Sequence, residues 1–234
     1  MAGNRTALFY EGWRYFWHKD SADTLVYIHI GKCGGLSLWN AIKSSRRIQE
    51  SFTCVHRIHV RKPPILKNAH YLIVVRDPIS RAQSAFNWRR RILITDRSQR
   101  DKFDGEYEAL QRYPTFNELA EEIVSNGKVV DQVAKAYRSI HHLREDISFY
   151  LDDLLEHVKG EQIFSVLKNE SLNNDMRDIL GIHENIHLNK NQESAGQERE
   201  ILTSKAKDNL RSFLASEYKA LATLEALLKS TSRK

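Results

Sequence analysis

Short apolar runs alternate with amphipathic stretches along the chain. Four runs rich in branched apolar residues predict strands, because buried parallel strands are apolar at successive positions; they are residues 24–30, 51–55, 70–75 and 161–169. Apolar residues recurring every three to four positions predict helices; the main ones are residues 36–46, 116–125, 129–142, 147–158 and two within 201–228. This alternation predicts a three-layer α/β fold, with a mainly parallel sheet of four or five strands and helices on both faces.

Two polar stretches, residues 101–113 and 185–194, have no periodic pattern, and we predict surface loops there. The chain contains no internal repeat and no low-complexity linker. We therefore expect one domain over residues 1–234, with an aromatic-rich extension at residues 1–20 and a flexible basic tail at residues 230–234.

The junction after the first predicted strand has the composition of an anion-binding site. The strand ends in GKCGG at residues 31–35, and a predicted helix follows. Backbone amides of such a turn and the positive end of the helix dipole attract an anion, and Lys32 adds a full charge. The loop lacks the GxxxxGK[ST] pattern of nucleotide triphosphatases, and with it the hydroxyl that holds magnesium. An ordinary glycine turn with an exposed lysine is the structural alternative.

A second junction follows the strand predicted at residues 70–75. Asp77 is placed to cap the next helix and Pro78 suits its first turn. Arg76 at the end of the strand and Ser84 on the helix are candidates to hold a second phosphate. Two anion sites at the carboxyl ends of parallel strands fit a nucleotide that carries phosphate at both ends.

These two segments, HIGKCGGLSL at residues 29–38 and RDPISRAQSAF at residues 76–86, resemble the paired signatures of one enzyme family. They resemble the sulfotransferases that use 3′-phosphoadenosine 5′-phosphosulfate (PAPS), most of all the carbohydrate-type branch, whose first motif is close to HIPKTGGTSL. The resemblance implies a phosphate-binding loop similar to the P-loop and sulfuryl transfer to an acceptor hydroxyl on a carbohydrate. A sulfuryl group carries less charge than a phosphoryl group and the loop lacks the hydroxyl that holds magnesium, so we expect no metal requirement. The desulfated product of the cofactor is then PAP.

The resemblance also implies the roles of individual residues. The implied contacts to the 5′-phosphosulfate are Lys32, Gly34, Gly35, Leu36 and Ser37; those to the 3′-phosphate are Arg76 and Ser84; those of a loop that closes over the nucleotide are Asn189 and Lys190. The sequence departs from the family motif at Gly31, Cys33 and Leu36. Leu36 matters most, because it removes a hydroxyl donor that Ser37 is a candidate to replace.

The family places a catalytic histidine, or in some members a glutamate, just after the second strand. Such a base is needed because the acceptor hydroxyl has a pKa far above 7, and imidazole titrates in the useful range. We favour His56 as the base, with His59 as the alternative. Lys32 is expected to stabilise the charge that grows on the leaving phosphate.

Positive charge is concentrated near these segments. Residues 56–100 contain eleven Lys or Arg residues against Asp77 and Asp96, in a chain whose net charge is +6. Part of this charge would serve the phosphates, and the remainder, including Arg89, Arg90 and Arg91, would face an anionic acceptor. The alternative is that successive arginines of one helix point ~100° apart and share no target. Nucleic acid is not an expected partner, because the basic residues cluster at a small-anion pocket.

Other features of the sequence indicate the cellular compartment of the protein. The chain has two cysteines, no apolar run near the ~20 residues of a membrane span, and charged residues interrupting its first twenty positions. We expect a cytoplasmic protein, with the soluble catalytic domain of a Golgi-type enzyme as the alternative.

Two other functions remain open at this point. One is an inactive relative that binds glycans, which would bind PAP but transfer no sulfate. The other is a nucleotide-dependent kinase, which would require magnesium and prefer ATP to PAP.

Overall fold

The computed structural model describes residues 7–12, 20–183 and 200–231, without the side chains of residues 35–37 and 231. Seven strands occur in this part of the chain. They are β1 Leu8–Glu11, β2 Thr24–His29, β3 Cys54–Ile58, β4 His70–Val75, β5 Val124–Ser125, β6 Lys128–Val129 and β7 Ile163–Lys168. Five of them form a parallel sheet in the order β1-β3-β2-β4-β7, and β5 pairs with β6 as an antiparallel hairpin. The predicted α/β class and parallel sheet are confirmed.

Strand β2 is the centre of the sheet. All six of its residues are buried, as the apolar run predicts, so both faces of this strand are covered. In the register, Val26 lies opposite His56 of β3 on one side and Tyr71 of β4 on the other. The chain passes from β2 to β3 on one side, while β4 connects to β7 on the other side. The carboxyl ends of β2 and β4 therefore form a topological switch point, where open α/β sheets commonly bind ligands.

The described part of the sequence contains ten α-helices. They are α1 Gly35–Ser44, α2 Arg46–Ser51, α3 Pro78–Arg90, α4 Glu106–Arg112, α5 Phe116–Glu122, α6 Asp131–Ser139, α7 Ile147–His157, α8 Leu172–Leu180, α9 Ser204–Phe213 and α10 Ala215–Thr231. A π-helical segment, Arg91–Thr95, continues α3, and short 3-10 turns occupy Gly160–Gln162 and Asn169–Ser171.

The chain forms two compact units that alternate along the sequence. The first consists of Met1–Arg76, Ile147–Leu188 and Ala220–Lys234, and the second of Asp77–Asp146 and Asn189–Lys219. The core of the first unit packs around the parallel sheet and includes residues of α1, α7 and α8. The core of the second unit is helical, with buried residues from α3, α4, α5, α6 and α9.

Three elements differ from the sequence-based predictions. β3 begins at Cys54 rather than residue 51, because α2 runs through Ser51. The predicted loop at residues 101–113 contains α4, whose Ala109 and Leu110 are buried in the helical core. β1 was not predicted as a strand; it pairs with β3, so the aromatic segment begins as part of the sheet.

Two smaller predictions also need correction. The helix predicted at residues 116–125 ends at Glu122, and the β5–β6 hairpin follows it. The C-terminal tail was predicted to start at residue 230, but α10 runs through Thr231. Trp13, Tyr15, Phe16 and Trp17 of the aromatic segment lie outside the described residues.

Candidate functional site

The loop between β2 and α1 keeps a tight, defined shape. The Cys33 amide donates to the carbonyl of Ile30 at 3.2 Å, which closes the turn. Lys32 has a φ of 70°, a left-handed conformation that is uncommon for a lysine and is held here by its neighbours. Cys33 is fully buried, so its thiol does not reach a ligand at this loop.

Gly34 caps α1 where the packing leaves little room for a side chain. A Cβ added there would lie 3.3 Å from Leu38 Cδ2, and 3.5 Å from Leu172 Cδ2 and Val74 Cγ2. The first turn of α1 contains no acidic residue, so no carboxylate of its own competes for the helix dipole. Gly35, Leu36 and Ser37 form this first turn, and the side chains of the latter two lie outside the description.

Arg76 joins the two sequence motifs. It follows β4 directly, and its Nη1 donates to the carbonyl oxygen of Lys32 at 3.2 Å. The hydrogen bond holds a half-buried guanidinium against the loop at the switch point of the sheet. Lys32, Arg76 and the start of α1 therefore lie together at the carboxyl ends of β2 and β4. Two cations and the amides of a helix N-terminus are the hydrogen-bond donors that a phosphate or sulfate group requires.

His56 lies inside the sheet of the first unit. It is fully buried, its Nδ1 donates to the carbonyl of Gly12 at 3.1 Å, and its ring stacks on Tyr10 at 5.0 Å between centroids. A general base must reach an acceptor, and this burial disfavours His56 for that role.

His59 has a different environment, because it follows the end of β3 and remains half-buried. Its Nδ1 donates to the carbonyl of His29 at 3.0 Å, and the two rings stack 4.4 Å apart at 18°. Since a carbonyl can only accept, this bond assigns the proton of the neutral ring to Nδ1 and the lone pair to Nε2.

His29 is a residue that the sequence analysis did not single out. It is the last residue of β2 and is almost fully buried, and its Nδ1 has no hydrogen-bond partner among the described residues. Burial, followed by the charges of His59 and Arg57, lowers the pKa of His29 to about 3. Its position, separated by a single residue from the glycine loop in the motif HIGKCGG, is the sequence signal that could have identified it.

Of the three other predicted contacts, the structure describes one. Ser84 lies on α3 in the second unit, where it is mostly buried. Asn189 and Lys190 lie outside the described residues.

Part of the basic excess has a structural use in the second unit. Arg81 is fully buried and contacts both carboxylate oxygens of Glu217, at 3.1 and 3.3 Å, and the carbonyl of His142. Arg89 makes the same kind of paired contact with buried Glu106, at 2.7 and 2.6 Å. These two arginines compensate buried acids, so Arg89 does not face an anionic acceptor as the sequence had suggested.

Comparison with known proteins adds no family assignment: no family model, no curated protein and no solved structure matches this chain. No helix within the described residues is long and apolar enough to cross a membrane. In the same part of the chain, no three His, Cys, Asp or Glu side chains come together as a set of metal ligands.

Proposed function

We propose that this protein is a PAPS-dependent sulfotransferase that transfers a sulfuryl group to a hydroxyl, on a carbohydrate acceptor. The observation that carries the proposal is the hydrogen bond from Arg76 to the carbonyl of Lys32, which links the two segments that resemble the family signatures. It lies at the switch point between β2 and β4, where a parallel sheet offers its ligand site. The proposal includes a loop similar to the P-loop and a three-layer arrangement of the domain.

The donor set at the loop fits the phosphosulfate end of the cofactor. Lys32 supplies a full positive charge, and the first turn of α1, which contains no acidic residue, supplies backbone amides. Because Cys33 is buried, its thiol does not take the place of the hydroxyl that the family motif carries at that position. Gly34, Gly35, Leu36 and Ser37 would contribute through these amides, and Arg76 would hold the 3′-phosphate.

Bound PAPS supplies the sulfuryl group that the acceptor oxygen takes. In this chain, His59 removes the acceptor proton with Nε2, because its Nδ1 is committed to the carbonyl of His29. Lys32 and the loop amides stabilise the negative charge that develops on the phosphate side. We assign the base to His59 rather than His56, whose ring is enclosed by the sheet.

The first experiment is calorimetric titration of the full chain with PAP, with ATP and AMP as comparisons, in the absence of magnesium. We expect PAP to bind in the micromolar range or tighter and ATP to bind much more weakly. Arg76→Ala should weaken PAP binding at least tenfold, since it removes a charged contact to phosphate. Arg61→Ala is the matched control, because Arg61 is exposed and lies outside the loop.

The outcomes separate the competing functions. No binding of PAP, or equal binding by Arg76→Ala and wild type, would overturn the proposal. If PAP binds and labelled PAPS gives no transfer to a panel of glycans, the protein is a binding module rather than an enzyme. Tighter binding of ATP with magnesium would indicate a kinase.

A further inference from the structure

The second unit contains a cavity that the proposed function does not use. Its volume is about 900 Å³, and it is bounded by the start of α3, residues 200–202, α9 and the start of α10. This volume is at the upper end of the range for sites that bind small molecules. The apolar part of its wall consists of Ile79, Ile201, Leu202 and Ala215.

Both carboxylates in the wall are occupied by hydrogen bonds from the protein. One oxygen of Asp77 accepts from the Ser80 amide at 2.8 Å, and the other accepts from the Tyr218 hydroxyl at 3.0 Å. The oxygens of Glu200 accept from the amides of Asn117 and Phe116, at 2.8 and 3.3 Å. Each acid therefore lies at the N-terminus of a helix, where the dipole partly offsets its charge.

The cations in the wall are differently placed. Lys207 and Arg211 are one turn apart on α9, and both are exposed. The Lys207 ammonium makes no hydrogen bond or ion pair with any residue that the structure describes. Arg211 contacts Asp208 at 3.0 Å, but both side chains are mostly exposed and such a surface pair is weak. The cavity thus offers a positive group in Lys207, while the two acids of its wall are already hydrogen-bonded by the protein.

The rim of the cavity also carries an apolar side chain that nothing described here covers. Ile201 is 86% exposed, the highest value among the large apolar residues of the described chain that are exposed. An isolated exposed isoleucine is ordinary, but one beside a cavity gains contacts when an apolar ligand enters.

We propose that this cavity binds an organic anion, with an apolar body against Ile79, Ile201 and Leu202 and an acidic group at Lys207. The assignment goes beyond the sulfotransferase proposal and does not depend on it. The mouth of the cavity selects for negative charge, and the wall selects for a hydrocarbon or aromatic body.

The test uses two fluorescent probes of similar size on the full chain. 8-Anilinonaphthalene-1-sulfonate carries an apolar body and one negative charge, and N-phenyl-1-naphthylamine is its neutral counterpart. Lys207→Gln should weaken the sulfonate about fivefold, the effect of one exposed charge contact, and leave the neutral probe unchanged. Lys205→Gln is the matched control, because this lysine is also exposed on α9 and does not line the cavity.

A second variant tests the apolar wall without endangering the fold. Ile201→Ser changes an exposed side chain, and it should weaken both probes about threefold. Equal sulfonate binding by Lys207→Gln and wild type would overturn the proposal, as would probe binding that Ile201→Ser leaves unchanged. Displacement of the sulfonate by PAP would also overturn it, because the cavity would then belong to the nucleotide site.

Discussion

The rings of His29 and His59 stack at the carboxyl ends of β2 and β3, yet their environments differ. His29 is almost fully buried, and its pKa is lowered to about 3, whereas His59 is half-buried and fixed through Nδ1. A neutral His29 places no charge beside His59, which favours protonation of His59 during a reaction. Under the proposed function, His29 is therefore a structural residue and His59 is the base.

The buried state of His29 makes stability depend on pH. The folded protein keeps His29 neutral down to a pH of about 3, whereas an unfolded histidine takes up a proton near its ordinary pKa of 6.5. The unfolded chain then binds more protons between these values. The contribution of His29 to the free energy of unfolding is complete above pH 6.5 and is lost toward pH 3, at up to about 1.4 kcal/mol per pH unit.

Urea unfolding at pH 7.5 and pH 5.0 measures this effect. When the pH is lowered from 7.5 to 5.0, the free energy of unfolding of wild type should fall by about 2 kcal/mol more than that of His29→Gln. His183→Gln serves as control, because this histidine is exposed and should leave the wild-type pH dependence intact. The same pH dependence in His29→Gln and wild type would contradict the prediction.

His59 should affect turnover rather than cofactor binding. Under the proposed function, His59→Gln removes the base and should lower sulfate transfer from labelled PAPS by roughly 100-fold or more. PAP affinity, measured by calorimetry, should stay within a factor of two. Undiminished transfer by His59→Gln would exclude this histidine as the base and return attention to His56.

At the scale of elements, the strand-to-helix junction after β2 depends on a glycine. Gly34→Ala would place a methyl group against Leu38, Leu172 and Val74, at the point where α1 begins. We expect a loss of about 1–3 kcal/mol in the free energy of unfolding, as is usual when extra atoms enter a packed core. The loop should also shift, so PAP binding should weaken in the same variant.

Gly127→Ala in the β5–β6 hairpin provides the comparison. Its added methyl group meets nothing within 4 Å, and its cost of about 1 kcal/mol comes only from a φ of 72°. Urea unfolding and PAP titration of both variants should show that only Gly34→Ala changes ligand binding. A Gly34→Ala protein as stable as wild type would show that the junction tolerates a side chain.

The elements also show where sequence patterns succeed. His70–Val75 was predicted at its observed bounds, because it is a continuous apolar run stopped by charge and proline. The hairpin at Asn126 and Gly127 was missed, although Asn-Gly with two positive φ values is a strong turn signal. Its strands have only two residues each, too few for a periodic pattern to identify.

At the scale of the whole molecule, the two units are each built from separate pieces of chain. In the second unit, buried Leu202, Ala206 and Leu210 pack in the same core as residues 82–143. A fragment of residues 77–146 lacks these side chains, and we expect it not to fold by itself. Near-UV circular dichroism should show no fixed aromatic packing in this fragment, in contrast to the full chain.

Adding residues 189–219 through a flexible linker is the natural control, since it restores the missing part of the core. Cooperative thermal unfolding of the 77–146 fragment without this addition would contradict the prediction. This experiment tests the folding of the second unit and not the proposed functions, because its core is defined by buried side chains and not by a ligand.

The sequence by itself determined the features that depend on local order. Apolar runs identified four of the five sheet strands, although β3 was displaced, and glycine and proline marked the two junctions that carry Lys32 and Arg76. The sequence predicted two anion sites at the ends of parallel strands, but it did not predict the hydrogen bond from Arg76 to the carbonyl of Lys32.

Tertiary structure alone decided which polar residues are buried and what they pair with. His56 and His59 are three positions apart and look alike in sequence, but the sheet encloses only His56. Arg89 appears as part of a basic run, yet Glu106 neutralises it inside a helical core. Burial and pairing depend on residues that are distant along the chain, and local patterns carry no information about them.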